Sequence, residues 1–126
     1  MSETRPPSTH ALDRGFLRTM CGDDPEFERE IVAEFMGLAE QMLAEISDAI
    51  RSGDAKRLFE AAHSLKGSSR SLGAAPLGEL CERLESAGRE GRTVGPEALE
   101  RLRIEYARVE SETRAIVSPP GDSAAA

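Results

Sequence analysis

Apolar residues recur every three or four positions along most of the chain, which is the period of an amphipathic helix. The pattern first predicts a short helix that ends near Gly22 and is built on Leu12, Phe16, Leu17 and Met20. A second run follows Asp24 and Pro25, a good cap and a proline suited to the first helical position. It continues to Gly53 and predicts a helix of about 27 residues, roughly 40 Å long. Its acidic residues, Glu28 among them, are interpreted as a solvated face.

Three further helices are predicted by the same period and by clear start and stop signals. The residues that open them are a capping aspartate or a proline, namely Asp54, Pro76 and Pro96. The stop signals are Gly73, then Gly88 with Gly91, and finally Ser118 before two prolines. Four long helices with short connections predict an all-α fold, an antiparallel up-and-down four-helix bundle with a short additional N-terminal helix.

The two ends of the chain differ in composition from this helical part. Residues 1–11 are polar and contain prolines, and residues 118–126 are rich in small residues, so both are predicted to be disordered. The bundle is expected to span residues 12–117. Since His10 lies in the N-terminal arm, no catalytic role is expected for it.

Composition and charge exclude several classes of function. A formal net charge of −7 argues against a basic nucleic-acid-binding surface. Cys21 and Cys81 follow no metal-ligand spacing, so no metal site or cofactor is predicted. No long apolar run or leader is present, which predicts a soluble, cytoplasmic protein without membrane contact. Nucleotide-binding and kinase motifs are also absent, so the chain is not expected to be an enzyme that phosphorylates itself.

The candidate chemistry lies in residues 61–73, on the third predicted helix. At 100° per residue, His63 faces away from the leucines of this helix, Leu58, Leu65 and Leu72. Lys66, Gly67 and Arg70 fall within about 60° of His63. The simplest alternative is that His63 is a surface histidine without a function. The residues around His63 distinguish this alternative from a functional site.

These residue types suit phosphoryl transfer. A neutral imidazole can attack phosphorus, and the cations Lys66 and Arg70 can stabilise charge on phosphoryl oxygens. A glycine inside a helix costs about 0.5–1 kcal/mol relative to alanine. Gly67 therefore indicates a reason other than helix stability, such as the close approach of a partner.

The stretch from His63 to Glu85 resembles the histidine-containing phosphotransfer (HPt) domain family, and a looser hydrophobic match extends over roughly residues 12–117. The matching segments are Ala62-His63, Leu65-Lys66-Gly67-Ser68-Ser69, Leu72-Gly73-Ala74, Leu77, Leu80-Cys81 and Leu84-Glu85. The resemblance implies that His63 accepts the phosphoryl group, that Lys66 stabilises it and that Gly67 admits the partner. Some family members also place a glutamine and an arginine near the histidine, and Glu85 and Arg89 occupy those positions here.

The resemblance also implies a function and partners. The chain is expected to shuttle a phosphoryl group between aspartates of receiver domains, those of response regulators or hybrid histidine kinases. Magnesium is expected on the receiver, and the chain is expected to act as a monomer. The alternative is a helical binding module that regulates a partner without phosphotransfer. Phe59, one turn before His63, is either packed on a neighbouring helix or a docking contact.

Overall fold

The chain folds into five helices in the computed structural model, which describes residues 10–117. In chain order they are α1 (Arg14–Met20), α2 (Pro25–Ser52), α3 (Ala55–Leu72), α4 (Ala75–Arg89) and α5 (Pro96–Val117). The four long helices pack in a ring, in which α2 contacts α3 and α5, and α4 contacts α3 and α5. Short turns make neighbours in the chain antiparallel. The predicted all-α bundle with an additional N-terminal helix is confirmed.

Most predicted helix ends are also observed, because the capping chemistry is local. The carboxylates of Asp13, Asp24 and Asp54 accept hydrogen bonds from backbone N–H groups in the first turns of α1, α2 and α3. Gly73 ends α3 in the left-handed region, with φ of 95°. A Cβ atom there would lie 3.0 Å from the Phe16 ring, so the turn after α3 also accommodates α1.

The sequence predicts that Gly88 and Gly91 close α4. Gly91 does follow the helix end in the left-handed region, with φ of 77°, but Gly88 is not a stop signal. Gly88 is buried inside the helix, which continues to Arg89. A Cβ atom at this position would lie 2.7 Å from the carbonyl oxygen of Ala55 and from the backbone nitrogen of Phe59. Gly88 is therefore the point where α4 meets the backbone of α3, and only a residue without a side chain fits there.

The interpretation of Glu28 as a solvated residue is also wrong. Only 6% of Glu28 is exposed, and its Oε2 atom lies 3.8 Å from Nε of Arg14. The spacing of apolar residues in α2 could not reveal this, because Arg14 belongs to α1. The packing of α1 against α2 brings the cation to the carboxylate.

The core determines which face of α3 is presented to solvent. Leu58, Leu65 and Leu72 of α3 are at most 2% exposed and pack with apolar residues of the other helices. Burial of each leucine contributes about 1.5–3 kcal/mol relative to exposure. This stripe fixes the rotation of α3, and His63 lies on its opposite side.

The start of the described segment is part of the fold. Ala11, which the sequence pattern assigns to the N-terminal arm, is fully buried. Its N–H and that of Leu12 donate hydrogen bonds to the carboxylate of Glu112 on α5. Residues 1–9 of the predicted arm and the predicted tail at 118–126 lie outside the described residues.

Within residues 10–117, none of the helices combines the length and the apolar character that crossing a membrane requires.

Candidate functional site

His63 projects from the middle of α3 into solvent, as the leucine spacing predicts. Its side chain is 63% exposed, whereas Ala62 and Leu65 beside it are fully buried. The ring is nevertheless held by neighbours on two helices. An exposed but oriented imidazole is the arrangement that a nucleophile requires.

One nitrogen of His63 is occupied by a carboxylate. Nδ1 lies 2.8 Å from Oε2 of Glu85 on α4. An ionised carboxylate can only accept a hydrogen bond, so Nδ1 carries the proton in this contact. In the neutral ring the lone pair is then on Nε2. The contact with Glu85 thereby selects the nitrogen that can attack an electrophile.

Glu85 is the centre of a buried polar network. Its side chain is 2% exposed, yet it contacts three basic groups. Besides His63, Nζ of Lys66 lies 2.6 Å from Oε1, and a terminal nitrogen of Arg89 lies 3.0 Å from Oε2. Lys66 is itself largely covered, whereas Arg89 is 60% exposed. A buried carboxylate needs such partners, because leaving it unpaired would be costly.

The charge of Glu85 follows from the balance of burial and partners. Burial alone would raise the pKa of Glu85, but hydrogen bonds from Lys66 and His63, together with their charges, outweigh it. The net effect is a pKa below the usual value for a glutamate. Glu85 is therefore ionised at neutral pH.

Phe59 supports the imidazole from within α3. Its ring stacks on that of His63, with centroids 5.9 Å apart and an angle of 18° between the planes. The guanidinium carbon of Arg89 lies 5.4 Å from the centre of the Phe59 ring, within the range of a cation–π contact. Phe59 is half-buried, and its ring packs between His63 and Arg89.

Two further residues of the predicted site occupy different surroundings. A terminal nitrogen of Arg70 lies 2.5 Å from Oε1 of Glu82 on α4, so this cation is paired away from the Glu85 network. Gly67 is exposed, and a Cβ atom built there would meet no atom within 4 Å. The packing of the fold therefore does not require a glycine at this position.

An open groove of about 700 Å³ lies on the other side of His63, between α2 and α3. His63 and Gly67 belong to its α3 wall. Its apolar lining comes from three helices and consists of Met20, Ile31, Phe35, Leu38 and Leu72. Sequence reasoning missed this groove, although the spacing of Ile31 and Leu38 on α2 is a signal of a shared face.

Sequence reasoning also did not find the central position of Glu85. The residue was included only through the family resemblance, at a position where some members carry glutamine. The available signal was the position of Glu85 four residues after Cys81, on the apolar face of α4. The structure brings His63, Lys66, Glu85 and Arg89 together and places Arg70 apart from them.

The sequence and the fold match a known family. Residues 30–112, which are more than half of the chain, match the Hpt domain family. The chain therefore belongs to that family, the histidine-containing phosphotransfer domains. The matched segment contains α3, α4 and every residue of the Glu85 network.

Relatives of known sequence support this assignment. The chain is 36% identical over 79 residues to multistep phosphorelay regulator 1 of Schizosaccharomyces pombe, covering 63% of this chain and 27% of that protein. It is 30% identical over 70 residues to phosphorelay intermediate protein YPD1 of Candida albicans, covering 56% of this chain and 38% of that protein. The chain thus spans well under half the length of these two relatives.

A solved structure resembles the whole bundle. The crystal structure of histidine-containing phosphotransfer protein B (HptB) from Pseudomonas aeruginosa superposes with a TM-score of 0.74 at 28% identity. The superposition covers 85% of this chain and 96% of HptB.

Proposed function

We propose that the chain carries a phosphoryl group on Nε2 of His63 and passes it between aspartates of receiver domains in a two-component phosphorelay. The observation that carries this proposal is the 2.8 Å contact between Nδ1 of His63 and Glu85. It leaves the lone pair on the other nitrogen of a ring that is mostly exposed. The relatives named as phosphorelay proteins support the same conclusion.

The transfer step needs no reagent other than His63 and the aspartyl phosphate of the receiver. The Nε2 lone pair of His63 attacks the phosphorus of a receiver's aspartyl phosphate, and an N–P bond forms as the P–O bond to the aspartate breaks. The aspartate leaves as a carboxylate. Positive charge that develops on the imidazole lies against the ionised Glu85, which stabilises it as a fixed countercharge. Transfer to a second receiver is the reverse of this step.

In this proposal, the cations around Glu85 compensate its negative charge and also stabilise the phosphoryl group. Lys66 and Arg89 offset the buried negative charge, so that the carboxylate does not repel an incoming phosphoryl group. Arg89 is largely exposed and can also meet phosphoryl oxygens directly. Lys66 supports the phosphoryl group mainly through its pairing with Glu85.

The groove beside His63 is the proposed docking surface for the receiver. Exposed apolar patches mark interaction sites, and Met20 in the wall of the groove is 43% exposed. Gly67 leaves room for the partner's active site next to the nucleophile. A helix of the receiver that presents apolar side chains would fill the groove.

In this scheme the chain acts as a carrier and not as an enzyme, because His63 is itself modified in each transfer. Magnesium and the groups that activate the phosphoryl group would belong to the receiver. We further propose that the chain needs no cofactor of its own and works as a monomer.

Incubation with a phosphorylated receiver tests the proposal. Wild type should become labelled, and the product should be stable in base and labile in acid, as expected of a phosphoramidate. The variant His63→Gln should accept no label, while His10→Gln should behave as wild type. Because a glutamine amide can still donate to Glu85, the stability of His63→Gln should stay within about 0.5 kcal/mol.

The same experiment separates the proposal from a binding module without phosphotransfer. Such a module would bind the receiver without becoming labelled. Label retained by His63→Gln would place the phosphoryl group on another residue.

A further inference from the structure

α1 contributes part of the surface beside His63 although it contains only seven residues. Met20 belongs to the wall of the groove, and Phe16 lies one turn earlier on the same helix. These two side chains are 43% and 47% exposed, whereas Leu17 between them is fully buried. Residues four apart share a helix face. α1 therefore turns Leu17 inward and extends the apolar surface outward with Phe16 and Met20.

Such a short helix does not hold its own position. Isolated helices of fewer than about 12 residues are marginal in water. Contacts with the rest of the bundle must therefore set both the helicity and the placement of α1. Leu17 anchors the inner face and Arg14 pairs with Glu28 of α2, and the segment before the helix supplies further contacts that set the direction of its axis.

Glu112 of α5 holds the start of α1. Its Oε2 atom accepts a hydrogen bond of 2.8 Å from the N–H of Ala11, and its Oε1 atom accepts one of 3.0 Å from the N–H of Leu12. Nδ1 of His10 lies 3.9 Å from the same Oε2. Each carboxylate oxygen thus accepts a hydrogen bond from one of two consecutive backbone N–H groups. Hydrogen bonds to an ionised acceptor are stronger than neutral ones.

A second connection joins α1 to the end of α3. The N–H of Asp13 donates to the carbonyl oxygen of Gly73 over 2.9 Å, and the side chain of Asp13 caps α1. The segment before α1 is therefore held by two helices at once. Of these two connections, the one through Glu112 involves α5, which contributes no residue to the groove wall. The other involves α3, which does contribute residues to that wall.

We propose that Glu112 is a positioning residue for partner recognition. By fixing residues 11 and 12, it sets the place of α1 and so of Met20 in the groove wall that also contains His63, although Glu112 itself lies on α5. This inference rests on the proposed function, since it concerns docking of the phosphoryl donor. Its effect is on binding of the receiver and not on the chemistry at His63, because Glu112 is not part of the Glu85 network.

Single-turnover transfer from a phosphorylated receiver, followed over a range of receiver concentrations, tests the proposal. Glu112→Ala should raise the half-saturating concentration about three- to tenfold, the range expected for losing such hydrogen bonds. Glu112→Gln, which keeps one carbonyl oxygen, should have a smaller effect. The maximal rate should stay within about twofold of wild type. Circular dichroism at the assay temperature must show that each variant is folded.

Glu100→Gln is the matched control. Glu100 is an exposed glutamate on α5, 12 positions before Glu112 and so about 18 Å away along the helix. It should leave both kinetic constants unchanged. A half-saturating concentration that is unchanged in Glu112→Ala would overturn the proposal. A fall in the maximal rate alone would overturn it as well.

A double-mutant cycle with Met20→Ala adds a result that general destabilisation would not produce. Residues without shared contacts normally have additive effects. If Glu112 places Met20, then Met20→Ala should weaken receiver binding in wild type and have little further effect in Glu112→Ala. Additive effects would overturn the positioning role. A wild type that accepts no phosphoryl group from any receiver would overturn the proposed function and this inference together.

Discussion

Nζ of Lys66 lies 2.6 Å from Oε1 of Glu85, so the cation closest in sequence to His63 is paired with a buried carboxylate. We therefore expect its positive charge to act on a phosphoryl group largely through Glu85. Removing a direct donor to a transition-state oxygen typically costs a hundredfold or more in rate. A smaller effect is expected for Lys66.

Lys66→Ala should slow transfer from a receiver to His63 about tenfold. The substitution leaves the carboxylate of Glu85 with His63 and Arg89 as partners, so its negative charge near the phosphoryl group is less well offset. Single-turnover rates of wild type and Lys66→Ala measure this loss of transfer rate. The chain's other lysine, Lys56, is the matched control, since it lies on the same helix and pairs with the exposed Glu60. Equal rates for Lys66→Ala and Lys56→Ala would contradict the prediction.

Glu85→Gln should change how stability depends on pH. Because the pKa of Glu85 is lower in the folded protein than in the unfolded chain, where it is about 4.3, its ionised form stabilises the fold. This contribution is complete above about pH 4.3 and is lost as the pH falls through the folded pKa.

Urea unfolding at a series of pH values tests this second prediction. At pH 7 the glutamine variant should be less stable by about 1–3 kcal/mol, and the difference from wild type should shrink below about pH 4. The exposed Glu79 provides the control, because the stability of Glu79→Gln should depend on pH in the same way as that of wild type. A constant difference at all pH values would show that Glu85 is not linked to proton binding in this way.

Gly67 and Gly88 should respond in opposite ways to alanine. Nothing lies within 4 Å of a Cβ atom at Gly67, so Gly67→Ala should stabilise the fold by about 0.5–1 kcal/mol. At Gly88 the same atom would lie 2.7 Å from the backbone of α3, so Gly88→Ala should destabilise it by about 1–3 kcal/mol. Thermal melts measure both.

Function and stability should separate at Gly67. Gly67→Gln should melt at the same or a higher temperature than wild type yet accept phosphoryl groups much more slowly, because its long side chain projects over the approach to His63. Gly67→Ala should be intermediate in rate. Undisturbed transfer in the glutamine variant would contradict the role of Gly67 in partner access.

Cys81 should be unreactive in the folded protein. It is fully buried, and burial raises its pKa to about 12, with the charge of Arg70 opposing and that of Glu85 adding to the shift. The reactive thiolate is then almost absent at pH 8. Iodoacetamide followed by mass spectrometry should show no modification of Cys81 in native protein and full modification after unfolding. Rapid native alkylation would mean that α4 opens readily.

The sequence predicted the helices well because their signals are local. Asp24, Asp54 and Gly73 cap their own helices, and the leucine spacing of α3 fixes the direction of His63 without knowledge of any other helix. Contacts between helices were beyond this reasoning. Gly88 was interpreted as a stop signal because glycine ends helices, yet here it allows α4 to touch α3. Glu28 was interpreted as a solvated residue, and the burial of Glu85 was not predicted, because the partners of both residues come from the packing of helices.

The polar network and the docking groove lie on opposite sides of His63. The network consists of side chains from α3 and α4, whereas α1 and α2 supply the far wall of the groove. If the groove receives the partner as proposed, substitutions at Met20, Ile31 or Leu38 should alter which partner is accepted while His63 keeps its contacts with Glu85 and Phe59. Under the proposed function, this division would allow duplicated copies of the chain to acquire new receivers without losing the chemistry at His63.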